Sequence, residues 1–118
     1  MKPEERDYRL YIQDMVEYLF KVEDLVSGLN YEDFILNSTV MDAVCWNLEK
    51  IGEASNHVSD EIKKANPQIE WEKIYRVRNI LSHHYHKIDY AIIWKIATQY
   101  LPLDKPHLVQ LLIEQSPR

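Results

Sequence analysis

Residues 37–58 read NSTVMDAVCWNLEKIGEASNHV, and this stretch predicts a long amphipathic helix more clearly than any other part of the chain. Asn37 or Ser38 supplies a side chain of the type that caps such a helix at its start. Gly52 lacks a side chain and leaves room for a second helix to approach closely. Apolar or small residues recur at three- and four-residue steps along one side, at Val40, Val44, Leu48, Ile51, Ser55 and Val58.

The rest of the chain shows the same periodicity, interrupted by residues that end helices. Gly28 ends the first helix, the residue before Pro67 avoids helical geometry, and Pro102 is expected to break a later helix. Asn30 and Asp89 provide further caps. The chain shows no strand alternation and no internal repeat, so the sequence predicts an all-α, roughly antiparallel bundle of four or five helices. Besides the central helix, the predicted helices cover residues 4–27, 30–36, 60–65, 71–82, 90–101 and 105–114.

Length and charge limit the classes of function. The 118 residues fit one domain, 1–118. A net charge of −5 and a pI near 5.5 argue against an extended basic face for salt-driven binding to nucleic acid. Residues 71–87 are the exception, because four Lys and Arg residues oppose the single acid Glu72 there, for a local charge of +3. Any RNA is therefore expected to bind at one local site.

The cysteine content and the N-terminal residues predict a cytoplasmic protein. Cys45 is the single cysteine, which excludes an intramolecular disulfide and agrees with a reducing compartment. Residues 1–7 are charged and lead into no apolar signal core, and no run approaches the roughly 18 apolar residues that cross a bilayer. The sequence thus favours neither secretion nor a membrane span.

A second stretch, residues 78–85 with the sequence RNILSHHY, concentrates groups that suit phosphodiester chemistry. An arginine fork holds a phosphate, and a histidine that titrates near neutrality moves protons without a metal. Arg78 and His83 are the candidates, with Asn79 in support. Positions five apart lie about 140° apart around an ideal helix, so the helix is expected to end or distort near Ser82. Arg78 then reaches back toward an imidazole on the following loop.

These residues also have structural interpretations. Cations near a helix C-terminus favour the helix dipole, which accounts for Arg78 and His83 without catalysis. His84 and His86 are interpreted as solvated neighbours. A metal site built from the histidines at 83, 84 and 86 has no H-E-x-x-H or E-x-x-H pattern to support it, so neither a metal nor a cofactor is predicted.

Glutamates and aromatic residues near the motif leave further alternatives open. Glu49 and Glu53 lie four apart on one face of the central helix, where they either position Arg78 or a bound nucleotide or simply form an exposed face. Tryptophans and tyrosines are mostly expected in the core or in an interface. Tyr75 and Tyr85 are the ones near enough to the motif to stack on a base.

Together, the two stretches resemble the HepT-like toxins of the HEPN superfamily, which are metal-independent ribonucleases built on a helical bundle. Arg78, His83 and Tyr85 match that family's arginine–x4–histidine–x–tyrosine motif, and Asn79 stands in the polar position after the arginine. Residues 48–54, LEKIGEA, are similar to a stretch of the family's long central helix. Length and helix order are also similar, so the resemblance covers nearly the whole chain.

The resemblance implies an endoribonuclease that works as a homodimer, with two motifs facing one cleft and RNA bound across the two-fold axis. Arg78 would stabilise the pentacoordinate phosphate, and Asn79 would donate to a phosphate oxygen or orient His83. Two copies of His83 would perform the two proton transfers of in-line cleavage. The products would carry 2′,3′-cyclic phosphate or 3′-phosphate ends and 5′-hydroxyl ends.

The resemblance also implies regulation by a second protein. In a type VII-like toxin–antitoxin pair, an MntA-type minimal nucleotidyltransferase neutralises the toxin by transferring AMP to the motif tyrosine, here Tyr85. The competing hypothesis is a catalytically silent HEPN module that only binds the nucleotidyltransferase partner or a nucleotide. RNA cleavage that is lost in His83→Ala separates the two hypotheses.

Overall fold

The computed structural model describes residues 7–83 and 87–115, which form helices joined by short turns. No strand occurs within these ranges, so the all-α prediction is confirmed. In the same part of the chain, no helix combines the length and the apolar character needed to cross a membrane. The elements are α1 Tyr8–Val26, α2 Tyr31–Ile35, α3 Ser38–Asn56, α4 Asp60–Ala65, α5 Trp71–His83, α6 Tyr90–Lys95, a π-helical turn Ile96–Tyr100 and α7 Leu101–Gln115.

The structure confirms the predicted helix ends at Asn30, Asn37 and Gly28. Asn37, rather than Ser38, caps α3, because its side chain accepts a hydrogen bond from the Val40 N–H at 3.1 Å. Asn30 forms a reciprocal capping box with Asp33 at the start of α2. Gly28 follows α1 with a φ of 76°, a left-handed conformation that favours glycine.

The start of α1 and the end of α5 differ from the prediction. α1 begins at Tyr8 rather than near residue 4, because Asp7 caps it by accepting a hydrogen bond from the Arg9 N–H. α5 continues to His83, one residue beyond the predicted end, so the His83 backbone belongs to the last helical turn and not to a loop. The prediction that the helix ends near Ser82 is otherwise confirmed.

Pro102 does not break the last helix, so that prediction is wrong. Helical structure continues from Tyr90 through the π turn to Gln115. At the end of the π turn the Leu101 N–H bonds to the carbonyl of Ile96, five residues back. This wider turn interrupts the regular i−4 pattern just before a residue that has no N–H to donate. Buried residues on both sides of the turn also hold the run against the bundle, namely Ile93, Ala97, Leu101, Leu108 and Leu111.

α3 is the central helix, since it packs against α1 on one side and α5 on the other, while α7 packs against α1. Two ring contacts show that α1 and α3 run antiparallel. Tyr11, early in α1, stacks on His57 just after α3, whereas Tyr18, further along α1, meets Trp46 near the middle of α3. The core between these helices includes Ile12, Met15, Leu19, Val22, Phe34, Val44, Ile51, Leu108 and Leu111.

The start of α5 is fixed from two sides. The buried Asp104 of α7 accepts a hydrogen bond from the Glu70 N–H at 3.2 Å, directly before α5 begins. Trp71, the first residue of α5, donates from its indole N–H to the Asn66 carbonyl at 3.0 Å. These contacts anchor one end of α5, and its other end carries the predicted motif.

Candidate active site

Arg78 rests directly on Gly52, where α5 crosses α3. A Cβ added at Gly52 would lie within 3.1 Å of the Arg78 Cγ and 3.0 Å of the Ile74 carbonyl oxygen, and closer still to the Arg78 Cβ. The arginine stem therefore occupies the space that a side chain at residue 52 would need. This confirms the prediction that Gly52 allows a second helix to approach closely.

One turn further along α5, Ser82 is tied to α3. Its hydroxyl donates a hydrogen bond to the Glu49 Oε1 at 3.1 Å, across 33 residues of sequence. Glu49 is half-buried, whereas Glu53, one turn away on α3, is exposed and pairs with Lys50 at 3.4 Å. The structure thus separates two glutamates that have similar sequence contexts. Glu49 faces the end of α5, and Glu53 lies on an exposed face.

The structure brings together some of the predicted site residues and leaves the others undescribed. Arg78 and Asn79 are both half-buried on α5. His83 lies at the end of the same helix, but its side chain is outside the described residues. The predicted acceptor Tyr85 lies outside them entirely. The expected approach of the arginine to the imidazole therefore stays a prediction.

The Arg78 guanidinium forms no ion pair with any described residue. Arg76, two positions earlier, instead pairs with Glu72 at 2.6 Å.

Burial, followed by the nearby carboxylates of Asp42 and Glu49, raises the pKa of the Cys45 thiol to about 11. Cys45 therefore stays protonated at neutral pH and is a poor nucleophile.

No group of three His, Cys, Asp or Glu residues in the described part of the chain is arranged to hold a metal ion. The candidate metal site considered from the sequence, formed by the histidines at 83, 84 and 86, lies outside the described side chains.

The aromatic residues divide between core and surface. Trp71 and Trp94 pack against the core, as expected. Trp46 is 52% exposed, with one edge against Tyr18 and the Lys50 ammonium over its ring, so it is not a core residue. Tyr75 is 37% exposed on α5, where stacking on a base stays a prediction.

Sequence reasoning assigned no role to Ser82, although it lies four residues after Arg78 and directly before His83. Because it lies four residues after Arg78, Ser82 is on the same side of α5 as Arg78. This spacing was the available signal, since it indicates that Ser82 faces the same helix as Arg78. The identity of the Ser82 partner depends on how α3 and α5 cross, which local periodicity does not contain.

Comparisons with known proteins find sequence matches over most of this chain. Residues 15–111 match the family model described as Ribonuclease HepT-like. A protein of Methanocaldococcus jannaschii with the name "Putative RNase" is 34% identical over 97 residues, which cover 82% of this chain and 89% of that protein. The "Probable ribonuclease HepT" of Thermococcus cleftensis is 31% identical over 97 residues, which cover 82% and 88%.

No solved structure gives a significant match. The family model covers most of the chain, and the matched residues include α3 and all of α5 with Arg78 resting on Gly52. The chain therefore belongs to the HepT-like ribonuclease family.

Proposed function

We propose that this chain is an endoribonuclease and the toxin of a toxin–antitoxin pair. The observation that carries the proposal is the placement of Arg78, whose stem rests on Gly52 while its guanidinium forms no ion pair with the described residues. Such a guanidinium keeps its donors available for a phosphate. Membership of a ribonuclease family supports RNA as the source of that phosphate.

The proposed reaction is an in-line displacement at phosphorus. The 2′-hydroxyl loses its proton to one imidazole, and its oxygen attacks the adjacent phosphorus. The bond from phosphorus to the 5′-oxygen breaks, and that oxygen takes a proton from a second imidazole. Arg78 stabilises the additional negative charge on the pentacoordinate phosphate, and Asn79 donates to a phosphate oxygen or orients His83. The products are a 2′,3′-cyclic phosphate and a 5′-hydroxyl.

We further propose that the two imidazoles are the His83 side chains of two copies of this chain. Each copy has one histidine at the motif position, whereas the reaction has two proton transfers. A two-fold symmetric dimer supplies both from one chain type. No metal ion takes part in this mechanism, because side chains supply both the positive charge and the proton transfers.

The test is cleavage of RNA by the purified protein, with and without EDTA. Wild-type protein is expected to cleave in both conditions, and His83→Ala is expected to lose cleavage while it stays folded. His107→Ala is the matched control, since His107 is an exposed histidine on α7, away from the motif. Loss of cleavage on chelation that Mg²⁺ or Mn²⁺ restores would reject the metal-independent mechanism. Folded wild-type protein without cleavage activity would favour the silent binding module.

Regulation is proposed at Tyr85, through transfer of AMP by an MntA-type nucleotidyltransferase. The attached phosphodiester and nucleoside would compete with substrate phosphate by charge and by volume. Intact-mass measurement after incubation with such an enzyme and ATP tests this proposal. Wild-type protein is expected to gain AMP and lose activity, and Tyr85→Phe is expected to cleave RNA without gaining AMP. Equal gain of AMP by both proteins would remove Tyr85 from this role.

A further inference from the structure

Two contacts between α3 and α5 lie one helical turn apart and enclose the start of the motif. At the first, the Arg78 stem lies on Gly52. At the second, Ser82 donates to Glu49 at 3.1 Å. The partners are four residues apart on α5 and three apart on α3, so successive turns of two antiparallel helices are joined. The helical turn from residue 78 to residue 82 is thereby held at both ends.

The Ser82 hydrogen bond differs from those of Ser55 and Thr98, two other hydroxyl residues in the described helices. Ser55 donates to the Gly52 carbonyl at 2.7 Å, and Thr98 donates to the Trp94 carbonyl at 2.7 Å, each within its own helical run. This local bonding is the usual behaviour of Ser and Thr inside a helix. Ser82 instead donates to a carboxylate on another helix, so its hydrogen bond fixes the position of α5 relative to α3.

Glu49 has a position that RNA binding alone does not explain. Glu49 is half-buried beside the helix end that carries the proposed phosphate site, where a negative charge repels substrate. Glu53, with the same charge one turn away, is exposed and satisfied by Lys50 on its own helix. The negative charge of Glu49 opposes substrate binding, yet its carboxylate accepts a hydrogen bond from the residue before His83. This combination indicates that Glu49 has a structural role in the site.

We propose that Glu49 is a positioning residue of the ribonuclease site, which acts through Ser82 to hold the last turn of α5, and with it the His83 backbone, in place relative to Arg78. Glu49 does not contact the substrate in this proposal. The inference rests on the proposed function, since it assigns Glu49 a part in the same reaction.

The test compares Glu49→Ala, Glu49→Gln, Ser82→Ala and Ser82→Thr with the control Glu53→Ala, by steady-state cleavage of RNA. Because misplacement of a reacting group lowers the rate of the chemical step, we expect kcat to fall about 10-fold in Glu49→Ala and in Ser82→Ala, with little change in KM. Glu49→Gln keeps an acceptor oxygen and Ser82→Thr keeps the hydroxyl, so both should retain most of kcat. Glu53→Ala should match wild type.

The double variant Glu49→Ala/Ser82→Ala decides whether the two residues act as one unit. One shared hydrogen bond predicts that the double variant is no slower than either single variant. Losses that multiply would overturn the proposal. So would a kcat for Glu49→Ala equal to that of Glu53→Ala, or an effect confined to KM, which would indicate contact with substrate.

Hydrogen exchange provides a measurement that does not depend on activity. Backbone amides in the last turn of α5 should exchange faster in Glu49→Ala and Ser82→Ala than in wild type, while those near Trp71 should not change. Unchanged exchange in the last turn would also overturn the proposal. Folded wild-type protein that fails to cleave RNA would reject the proposed function and this inference together, whereas wild-type cleavage with unaffected variants would reject this inference alone.

Discussion

Arg78 is positioned by its aliphatic stem and not by its charge. Three arginines lie in the described helices or their caps, and two of them form ion pairs, Arg9 with Asp7 and Arg76 with Glu72. Arg78 instead lies against the bare backbone of Gly52. An arginine stem commonly packs on neighbouring surface while the guanidinium stays available for other partners. This placement fits a residue whose partner is an external anion.

Arg78→Lys is expected to lower kcat/KM for RNA cleavage on the order of 100-fold, although the positive charge is kept, because an ammonium cannot reproduce the planar two-point contact with phosphate. Arg76→Lys is the matched control, since Arg76 lies two positions before Arg78 on the same helix, is exposed and pairs with Glu72. The control should stay within about twofold of wild type, as is typical of exposed sites. Near-normal cleavage by Arg78→Lys would show that Arg78 does not bind the phosphate.

At the scale of elements, α3 determines where α5 lies. Gly52 sets how closely the two helices approach, and Glu49 fixes one point along the crossing. At the far end of α5, Asp104 of α7 accepts a hydrogen bond from the N–H directly before the helix. The helix that carries the motif is therefore fixed by two different neighbours, one at each end.

Gly52→Ala is expected to destabilise the protein. In a helix interior, alanine is more stabilising than glycine by about 1 kcal/mol. Here its Cβ would meet the Ile74 carbonyl at 3.0 Å and the Arg78 Cβ at a shorter distance, and neither belongs to a flexible side-chain end. Overpacking of this kind costs about 1–3 kcal/mol, so we expect a net loss of about 1 kcal/mol and a Tm lower by roughly 4 °C. An unchanged or higher Tm would show that α5 adjusts at no cost.

The ionisation of Asp104 should contribute to the pH dependence of stability. Burial raises the pKa of this carboxyl above its ordinary value of 3.8, although the Glu70 N–H opposes the shift. The folded state therefore binds the Asp104 proton more tightly than the unfolded state does. The contribution of Asp104 to the free energy of unfolding therefore falls as the pH rises from 3.8 through the raised pKa, and then levels off.

Asp104→Asn should remove this contribution while it keeps an oxygen that accepts from the Glu70 N–H. Denaturant unfolding of both proteins between acidic and neutral pH measures the difference. The stability of the variant relative to wild type should increase with pH through this window. Asp24→Asn, at an exposed position on α1, serves as the control. A difference between wild type and Asp104→Asn that does not vary with pH would contradict the assignment.

At the scale of the whole molecule, the described part of the motif, residues 78–83, lies at one end of a single helix of the bundle. Residues 78 and 83 are five apart on α5, so their backbone positions face different directions around a regular helix. A second copy of the chain provides a direct way to place an arginine and a histidine on one phosphate. This geometry supports the proposed two-fold dimer.

Mixed dimers test whether one site draws on both chains. Differently tagged wild-type and His83→Ala subunits, mixed and purified as heterodimers, should cleave RNA at far less than half the wild-type rate if each reaction uses both copies of His83. Heterodimers of two tagged wild-type subunits provide the control. A rate of one half would mean that each subunit works alone.

The sequence by itself determined the features that depend on near neighbours. The helices follow from three- and four-residue periodicity, and the ends at Asn30, Asn37 and Gly28 follow from side chains or backbone within a few residues. The candidate residues Arg78 and Asn79 also followed from a local motif. Pro102 was an exception, because a π turn and buried neighbours outweighed its local tendency to end a helix.

Only the tertiary structure decided the contacts between distant parts of the chain. It placed Arg78 on Gly52, Ser82 on Glu49 and the Glu70 N–H on Asp104, and the last two contacts span 33 and 34 residues. It also distinguished Glu49 from Glu53, which the sequence left as equivalent members of an i,i+4 pair. The physical reason is that helix periodicity specifies which face is apolar, whereas the packing of whole side chains sets the register in which two such faces meet.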